Sequence, residues 1–229
     1  AKLVGISLSV AEGIGYYIPV GHQAGTQLPL DKVFSAMRPT MTNPGIAKAG
    51  HNIKYDAIVL AQHGLEVTPL SFDTMIAEWL IDPASRNLGL KDMAGVYLNI
   101  SMTHIEELIG SGKNQTTMDL VSISSAAPYA AADAEVTLRL VPLLKDKMAS
   151  RNSTRIFEEI EMPLIPVLIQ MERTGISLDR SFFAKFSKEM GERLAEIEKH
   201  VYDSVGYPIN LNSTQQLSKV LFETLKLEP

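Results

Sequence analysis

The sequence predicts an α/β domain followed by an all-helical segment. Residues 1–20 contain two β-rich runs on either side of a turn at Gly13 and Gly15. Helical patterns and short strand-like runs then alternate to about residue 150, as is typical of an α/β domain. Beyond that point only helical spacing recurs, for example in the apolar stripe from Phe183 to Val201. We therefore expect two parts, residues 1–150 and residues 151–229.

The composition is that of a globular protein. The chain has 229 residues, of which 45% are hydrophobic, enough to bury the core of one large domain with an appendage. The absence of cysteine excludes disulfides and thiolate metal sites. No apolar run reaches the roughly 18 residues of a membrane helix, so no membrane partner is expected. The net charge of -5 argues mildly against nucleic-acid binding, although the carboxylates of a metal-dependent nuclease also lower the net charge.

Capping signals place the helices around two polar clusters. A helix is predicted from Asn52 to His63, because Gly64 follows as a C-terminal stop. Asp73 precedes the next apolar run and is expected to cap it. A long helix is predicted from about residue 125 to residue 148, since the proline in its first turn is tolerated there.

The first polar cluster is Asn52 with Asp56. Four residues separate the two side chains, so they share one helix face. A carboxylate on a first turn beside a core-facing stripe could hold a metal ion. The alternative is an acidic residue that the helix dipole favours at this position without any further role.

The second cluster is Tyr129 with Asp133, again four residues apart on one face. The three residues between them are alanines, which lets another element or a ligand approach closely. The alternative is an ordinary surface tyrosine and aspartate. Glu135 is rejected as a partner of Asp133, because two residues on a helix correspond to a rotation of roughly 200°.

Together the clusters suggest two-metal cleavage of a phosphodiester bond. In that chemistry carboxylates hold two Mg²⁺ or Mn²⁺ ions about 4 Å apart, and oxygen ligands suit these ions. A nearby tyrosine hydroxyl can orient the attacking water. Such a site needs more carboxylates than the two that the sequence offers.

The order of several motifs resembles the 3′–5′ proofreading exonuclease domain of the family A DNA polymerases, the group that includes bacterial DNA polymerase I. The exonuclease-like motifs are residues 50–56 (GHNIKYD), 72–75 (FDTM), 112–115 (GKNQ) and 129–135 (YAAADAE). The likeness continues through a connector and the start of a thumb region, at residues 161–168 (EMPLIPVL), 172–176 (ERTGI) and 210–217 (NLNSTQQL).

The resemblance implies an RNase H-like fold of the DEDD exonuclease type, with a mixed sheet flanked by helices. Residues 1–150 would be this exonuclease domain without its first strand, and residues 151–229 the helical connector and the beginning of the thumb. Metal ligands would be Asp56 and Asp133, and Tyr129 would orient the water.

The resemblance also implies substrate contacts. Asn52 would lie near the bound 3′ end. Lys113 and Gln115 lie in a loop that would contact the DNA backbone, although a solvated loop without such a role is an equal alternative. The expected partners are a single-stranded or frayed DNA 3′ end and the rest of the polymerase in cis.

One departure from the family pattern limits the expected activity. The first family motif, an Asp-x-Glu on the opening strand, is expected before Ala1, and the polymerase carboxylates beyond Pro229. We therefore expect a fragment that is weakly active or inactive, from a parent that polymerises and proofreads DNA with two metal ions.

Three alternatives stay open at this stage. The first is a catalytically dead structural or DNA-binding module of a polymerase that does not proofread. The second, a stand-alone RNA-processing exonuclease, is disfavoured by the connector and thumb-like motifs. The third concerns location: a bacterial cytoplasm is the simplest setting, and an organelle is the alternative.

Overall fold

The computed structural model describes residues 2–228. The chain divides into two compact units, the first extending to Gly175 and the second beginning at Ile176. The first unit contains all the strands and the candidate site. The second unit is helical.

An antiparallel hairpin opens the first unit. Strand β1 (Gly5–Ala11) pairs with strand β2 (Ile14–Pro19), with an irregular register between Ser9 and Ala11. The turn between them contains Gly13 at a φ of 77°, a left-handed conformation that glycine adopts at little cost. The two predicted opening strands are therefore present.

A parallel strand pair forms the second sheet. After helix α1 (Leu30–Met41), strand β3 (Lys48–Gly50) leads into helix α2 (Ile53–Gln62), and strand β4 (Leu70–Asp73) returns beside β3. Helix α3 (Thr74–Ile81) follows directly. The predicted combination of antiparallel and parallel pairing is found, but within residues 2–228 it forms two separate two-stranded sheets.

A long helix supports both sheets. Helix α4 (Leu90–Leu98), helix α5 (Ile105–Ile109) and two 3₁₀ turns, Gly112–Asn114 and Met118–Leu120, lead to helix α6 (Ile123–Ser150). Helix α6 contacts the hairpin on one side and α3 and α4 on another. Its fully buried residues Leu140, Leu144 and Met148 form the centre of the main core. This position makes α6 the element that fixes the second polar cluster relative to the sheets.

The segment after α6 packs within the first unit. Helix α7 (Thr154–Ile156), a π-helical segment (Phe157–Glu161) and helix α8 (Met162–Thr174) form one helical stretch. Phe157, Met162 and Ile165 are buried in the same core as α6. The packing break thus follows α8, while the functional boundary at residue 150 stays a prediction.

The second unit consists of two helical segments. Helix α9 (Arg180–Val205) begins at Asp179, whose carboxylate accepts hydrogen bonds from the backbone of Ser181 and Phe182, both at 3.0 Å. Helix α10 (Thr214–Ser218) continues as a π-helical segment (Lys219–Thr224). The apolar stripe predicted on α9 is exposed. No helix in the described part of the chain is long and apolar enough to cross a membrane.

Candidate active site

One buried carboxylate organises the start of two helices. Asp73, the last residue of β4, is only 1% exposed. One of its oxygens, Oδ1, accepts hydrogen bonds from the backbone amides of Met75 at 2.9 Å and Asn52 at 3.2 Å. The other oxygen, Oδ2, accepts one from the amide of Ile53 at 2.8 Å. Asp73 therefore caps α3, as predicted, and also binds the first turn of α2, which the sequence did not predict.

Asn52 and Asp56 lie at the start of α2. Asn52 precedes the helix in the left-handed conformation, with a φ of 56°, and its side chain does not cap the helix. Asp56 follows in the first turn, where its side chain is exposed. The surrounding protein nevertheless removes part of its hydration, which raises the pKa of the Asp56 carboxyl to about 6, and the negative charge of Asp73 adds to the rise. A bound cation would favour the ionised form of such a carboxylate, because its positive charge stabilises the negative one.

Tyr129 and Asp133 lie on one face of α6, and both interact with the ammonium group of Lys91. Nζ of Lys91, on the first turn of α4, donates a hydrogen bond to the Tyr129 hydroxyl at 3.1 Å. The same atom lies 3.7 Å from Oδ1 of Asp133 and 4.2 Å from the centre of the Tyr129 ring. The predicted pair is therefore a three-residue cluster.

The electrostatics of this cluster are dominated by burial. Desolvation raises the pKa of Asp133, while the positive charge of Lys91 and the polar hydrogens of Tyr129 and Lys91 beside the carboxylate oppose the rise. Desolvation also raises the pKa of the Tyr129 phenol, which therefore keeps its proton at neutral pH. Oδ1 of Asp133 is buried and has no hydrogen-bond partner among residues 2–228. Among the described residues its charge partner is the Lys91 ammonium group at 3.7 Å, which makes no hydrogen bond to it, and a bound cation would contact the oxygen directly.

The hairpin packs against the alanines between Tyr129 and Asp133. At Gly15 of β2, a side chain would overlap the backbone oxygen of Ala131, so this glycine allows the strand to approach the helix. Glu135 faces the hairpin turn, where it accepts a 2.8 Å hydrogen bond from the backbone amide of Gly13. It also pairs with Arg139 at 3.8 Å. Glu135 is thus absent from the cluster, as the helical rotation predicts.

Two clefts border the cluster. The smaller, of about 130 Å³, is lined by Tyr129 and Asp133 together with Pro128 and Met102. The larger, of about 520 Å³, lies over α4 and the loop that follows it, and Lys91 and Met102 are among its lining residues. Tyr129 and Asp133 therefore line the smaller of these two clefts.

The loop candidates lie outside the cluster. Lys113 and Gln115 are exposed, in and just after the 3₁₀ turn at Gly112–Asn114. Neither side chain makes an ion pair or a hydrogen bond to the described residues. Their role in binding a DNA backbone stays a prediction.

The residues present fit a divalent ion in part. Carboxylate oxygens are suitable ligands for Mg²⁺ and Mn²⁺, and the unpartnered Oδ1 of Asp133 is placed to act as one. The charge that acts on Asp56 is that of Asp73, whereas the charge that acts on Asp133 is that of Lys91. Over residues 2–228, no group of three or more histidine, aspartate or glutamate side chains could hold an ion. Asp133 and Asp56 are two candidate ligands, and the described residues do not form a complete two-ion site.

Lys91 is the member of the site that the sequence analysis missed. It lies 38 residues from Tyr129 in the chain and belongs to no motif that was singled out. Its neighbours Leu90 and Met93 show only an ordinary helix pattern. The contact depends on how α4 packs on α6, and no local signal in the sequence reports that packing.

Comparisons with known proteins identify the family of the chain. Residues 1–149 match the family model described as 3′–5′ exonuclease, of DNA polymerase A. The chain is 42% identical over its whole length to DNA polymerase I of Chloroflexus aurantiacus and 36% identical over 99% of its length to that of Pseudomonas aeruginosa. It spans 24% and 26% of those two proteins, about a quarter of their length.

Solved structures show the same fold. The polymerase domain of Pol1 from M. smegmatis, in a complex with DNA primer-template and dNTP, aligns with a TM-score of 0.69 and 26% identity, over 97% of this chain and 34% of that one. Brucella melitensis NrnC aligns with a TM-score of 0.59 and 21% identity, over 76% of this chain and 78% of that one. The latter likeness concerns the fold alone. The predicted RNase H-like exonuclease fold is confirmed, and the chain belongs to the 3′–5′ exonuclease family of the type A DNA polymerases.

Proposed function

We propose that this chain is the proofreading part of a DNA-directed DNA polymerase and serves to remove nucleotides from DNA 3′ ends. The observation that carries the proposal is the cluster on α6, where Tyr129 and Asp133 face a cleft and Oδ1 of Asp133 lacks a hydrogen-bond partner among the described residues. A protonated phenol beside an unsatisfied carboxylate is suited to orienting water next to a bound cation. The membership of residues 1–149 in an exonuclease family supports the same reading.

The roles of the residues follow from their chemistry. Asp133 and Asp56 would hold Mg²⁺ or Mn²⁺, whose charge would stabilise the attacking and leaving oxygens of the phosphodiester. The Tyr129 hydroxyl would orient the attacking water, since its raised pKa keeps it a hydrogen-bond donor. The raised pKa of Asp56 would fall when a cation binds, because the positive charge favours the carboxylate.

A DNA 3′ end is the proposed substrate. The M. smegmatis polymerase that this chain resembles is recorded with a DNA primer-template. The cleft beside Tyr129 is small, which favours a single-stranded or frayed end over a paired one. Asn52 would lie near the terminal nucleotide, and Lys113 and Gln115 would contact the backbone of the strand. The rest of the polymerase would act in cis and carry the polymerisation activity.

A second candidate is a catalytically dead module that binds DNA or supports the polymerase. The observation that favours it is the lack, in the described residues, of any group of three ligands for an ion. The two proposals agree on DNA binding and differ in cleavage. The proofreading proposal expects weak cleavage by these 229 residues alone, and the dead module expects none.

Cleavage of 5′-labelled single-stranded DNA in Mn²⁺ distinguishes the two candidates. The proofreading proposal expects slow shortening from the 3′ end that stops in Asp133→Asn and falls about 10- to 1,000-fold in Tyr129→Phe, as when a positioning hydrogen bond to the reacting groups is lost. Glu135→Gln is the matched control, because it neutralises a carboxylate on the same helix that faces the hairpin. Its cleavage rate is expected to stay within about two-fold of the original.

The outcomes separate cleanly. Shortening that requires Asp133 and survives Glu135→Gln supports the nuclease. DNA binding without any shortening, unchanged by Asp133→Asn, supports the dead module. Shortening that persists in Asp133→Asn would mean that other residues perform the chemistry and that this assignment is wrong.

A further inference from the structure

A lysine occupies the position where a cation is expected. Nζ of Lys91 lies 3.7 Å from Oδ1 of Asp133, the oxygen that has no hydrogen bond within the described chain. The Lys91 side chain is largely buried, with 19% of it exposed. Within residues 2–228, its ammonium group is the one that forms an ion pair with this carboxylate. At this distance the attraction is substantial, since water is partly excluded from the pair.

The same ammonium group restricts the Tyr129 hydroxyl. An ammonium nitrogen has only hydrogens to offer, so the phenol oxygen must be the acceptor of the 3.1 Å hydrogen bond. The phenolic hydrogen then points away from Lys91, and the Asp133 carboxylate is an acceptor on the same helix face. The ring is also held, because Nζ lies 4.2 Å from its centre in a cation–π arrangement.

We propose that Lys91 is an internal cation of this site, which balances Asp133 and orients Tyr129 until a divalent ion displaces it. The inference rests on the proposed nuclease function and adds a positioning residue to it. Lys91 holds the two side chains in place when no divalent ion is bound. An ion that binds Oδ1 of Asp133 must overcome the repulsion of the ammonium group, so Lys91 weakens metal binding at this carboxylate.

Removing the charge should therefore strengthen metal binding. The test is the affinity of the 229-residue chain for Mn²⁺, measured from the electron paramagnetic resonance signal of the free ion. Lys91→Met, which keeps the length of the side chain, is expected to lower the Mn²⁺ dissociation constant by about five-fold or more, within the range of couplings between neighbouring groups. Lys91→Arg keeps the charge and is expected to stay within about two-fold of the original.

Asp133→Asn completes a double-mutant cycle. In this background Lys91→Met should change the Mn²⁺ affinity by less than about two-fold, because the carboxylate that couples the two charges is gone. A purely structural role for Lys91 predicts the opposite sign, since a disordered site binds metal less well. Melting curves followed by circular dichroism confirm that each variant is folded.

A failure of the internal-cation inference can be distinguished from a failure of the proposed function. If Asp133→Asn weakens Mn²⁺ binding but Lys91→Met leaves it unchanged or weaker, the internal-cation inference is overturned and the proposed metal site stands. If Asp133→Asn changes nothing in either Lys91 background, the proposed function fails, and the inference fails with it.

Discussion

The Asp73 carboxylate accepts a 2.8 Å hydrogen bond from the backbone amide of Ile53, so the end of β4 fixes the first turn of α2. The same side chain caps α3 through Met75 and Ile76. Asp73 is a buried anion that accepts backbone hydrogen bonds at the start of two helices. It therefore benefits both from the capping hydrogen bonds and from the helix dipole, the two effects that favour acidic residues there. Asp56 belongs to the turn that Asp73 holds, so the candidate metal ligand depends on a residue outside the site.

Asp73→Asn should destabilise the fold. The amide keeps one acceptor oxygen and places hydrogen-bond donors against backbone amides that need acceptors. We expect the free energy of unfolding to fall by about 1–3 kcal/mol, the cost of leaving buried donors unpaired. Urea denaturation measures the loss. Asp31→Asn is the matched control, because Asp31 lies exposed in the first turn of α1, and we expect a change within about 0.5 kcal/mol. Equal losses in both variants would contradict the double-capping role.

The stability should depend on pH through Asp56. The folded protein raises the pKa of this carboxyl to about 6, whereas an unfolded chain has a value of about 3.9. Between these values the folded state binds the proton more tightly, so the stabilisation is full below about pH 4 and is lost as the pH rises through 6. Asp56→Asn removes this dependence and should be more stable than the original protein at pH 7.5.

Melting temperatures at several pH values test this sign. The advantage of Asp56→Asn at pH 7.5 should shrink as the pH is lowered toward 4. At each pH, the difference between the melting temperatures of Asp56→Asn and the original protein cancels most of the contribution of the other titrating groups. A difference that does not vary with pH, or that grows as the pH falls, would show that the Asp56 carboxyl is not held in its protonated form.

Local patterns in the sequence were sufficient to predict the elements that carry the site. The glycine turn of the hairpin, the Asp73 cap of α3 and the four-residue spacing of Tyr129 and Asp133 each depend on neighbours along the chain. The rotation of a helix also sufficed to separate Glu135 from Asp133. These features are local, and backbone geometry determines them without knowledge of the packing.

Such local patterns could not predict contacts between elements that are distant along the chain. Lys91 meets Tyr129 because α4 packs on α6, and Asp73 reaches Ile53 because β4 lies beside β3. A lysine on one amphipathic helix carries no local mark of the side chain that it will meet. The buried cation and the second capping interaction therefore required the tertiary structure.

Gly15→Ala should disturb the site from the far side of α6. The added methyl group would overlap the backbone of Ala131, between Tyr129 and Asp133, and backbone cannot move aside as a flexible side chain can. We expect a loss of about 1–3 kcal/mol in the free energy of unfolding, the usual cost of overpacking. Any Mn²⁺-dependent cleavage should also fall, because the helix that carries both side chains must shift.

Gly95→Ala is the matched control for this substitution. Gly95 is exposed in α4, and a methyl group there meets nothing within 4 Å. Alanine favours a helix, so we expect a gain of about 0.5–1 kcal/mol. Thermal or urea denaturation should therefore show opposite signs for the two variants. A loss at Gly95 equal to that at Gly15 would indicate that glycine replacement itself, and not the close approach of β2 to α6, is responsible.

Arg173 and Glu66 tie α8 to the segment that follows α2. Nη1 of Arg173 lies 3.0 Å from Oε1 and 3.3 Å from Oε2 of Glu66, and a second ion pair joins Lys54 on α2 to Glu172 on α8. Because Arg173 and Glu66 are both exposed, their attraction is worth about 0.2–1 kcal/mol. Arg173→Glu should therefore cost about that amount or slightly more, since it places two acidic residues together.

Exchanging the two charges tests the pair directly. The double variant Arg173→Glu with Glu66→Arg should recover most of the stability lost in Arg173→Glu, because the attraction is restored with reversed polarity. The recovery should diminish in 1 M NaCl, where screening acts over about 3 Å. Urea denaturation at low and high salt measures both effects. If the double variant is no more stable than the single one, the ion pair does not hold α8 against the segment that follows α2, and apolar contacts such as those of Ile165 must hold α8 alone.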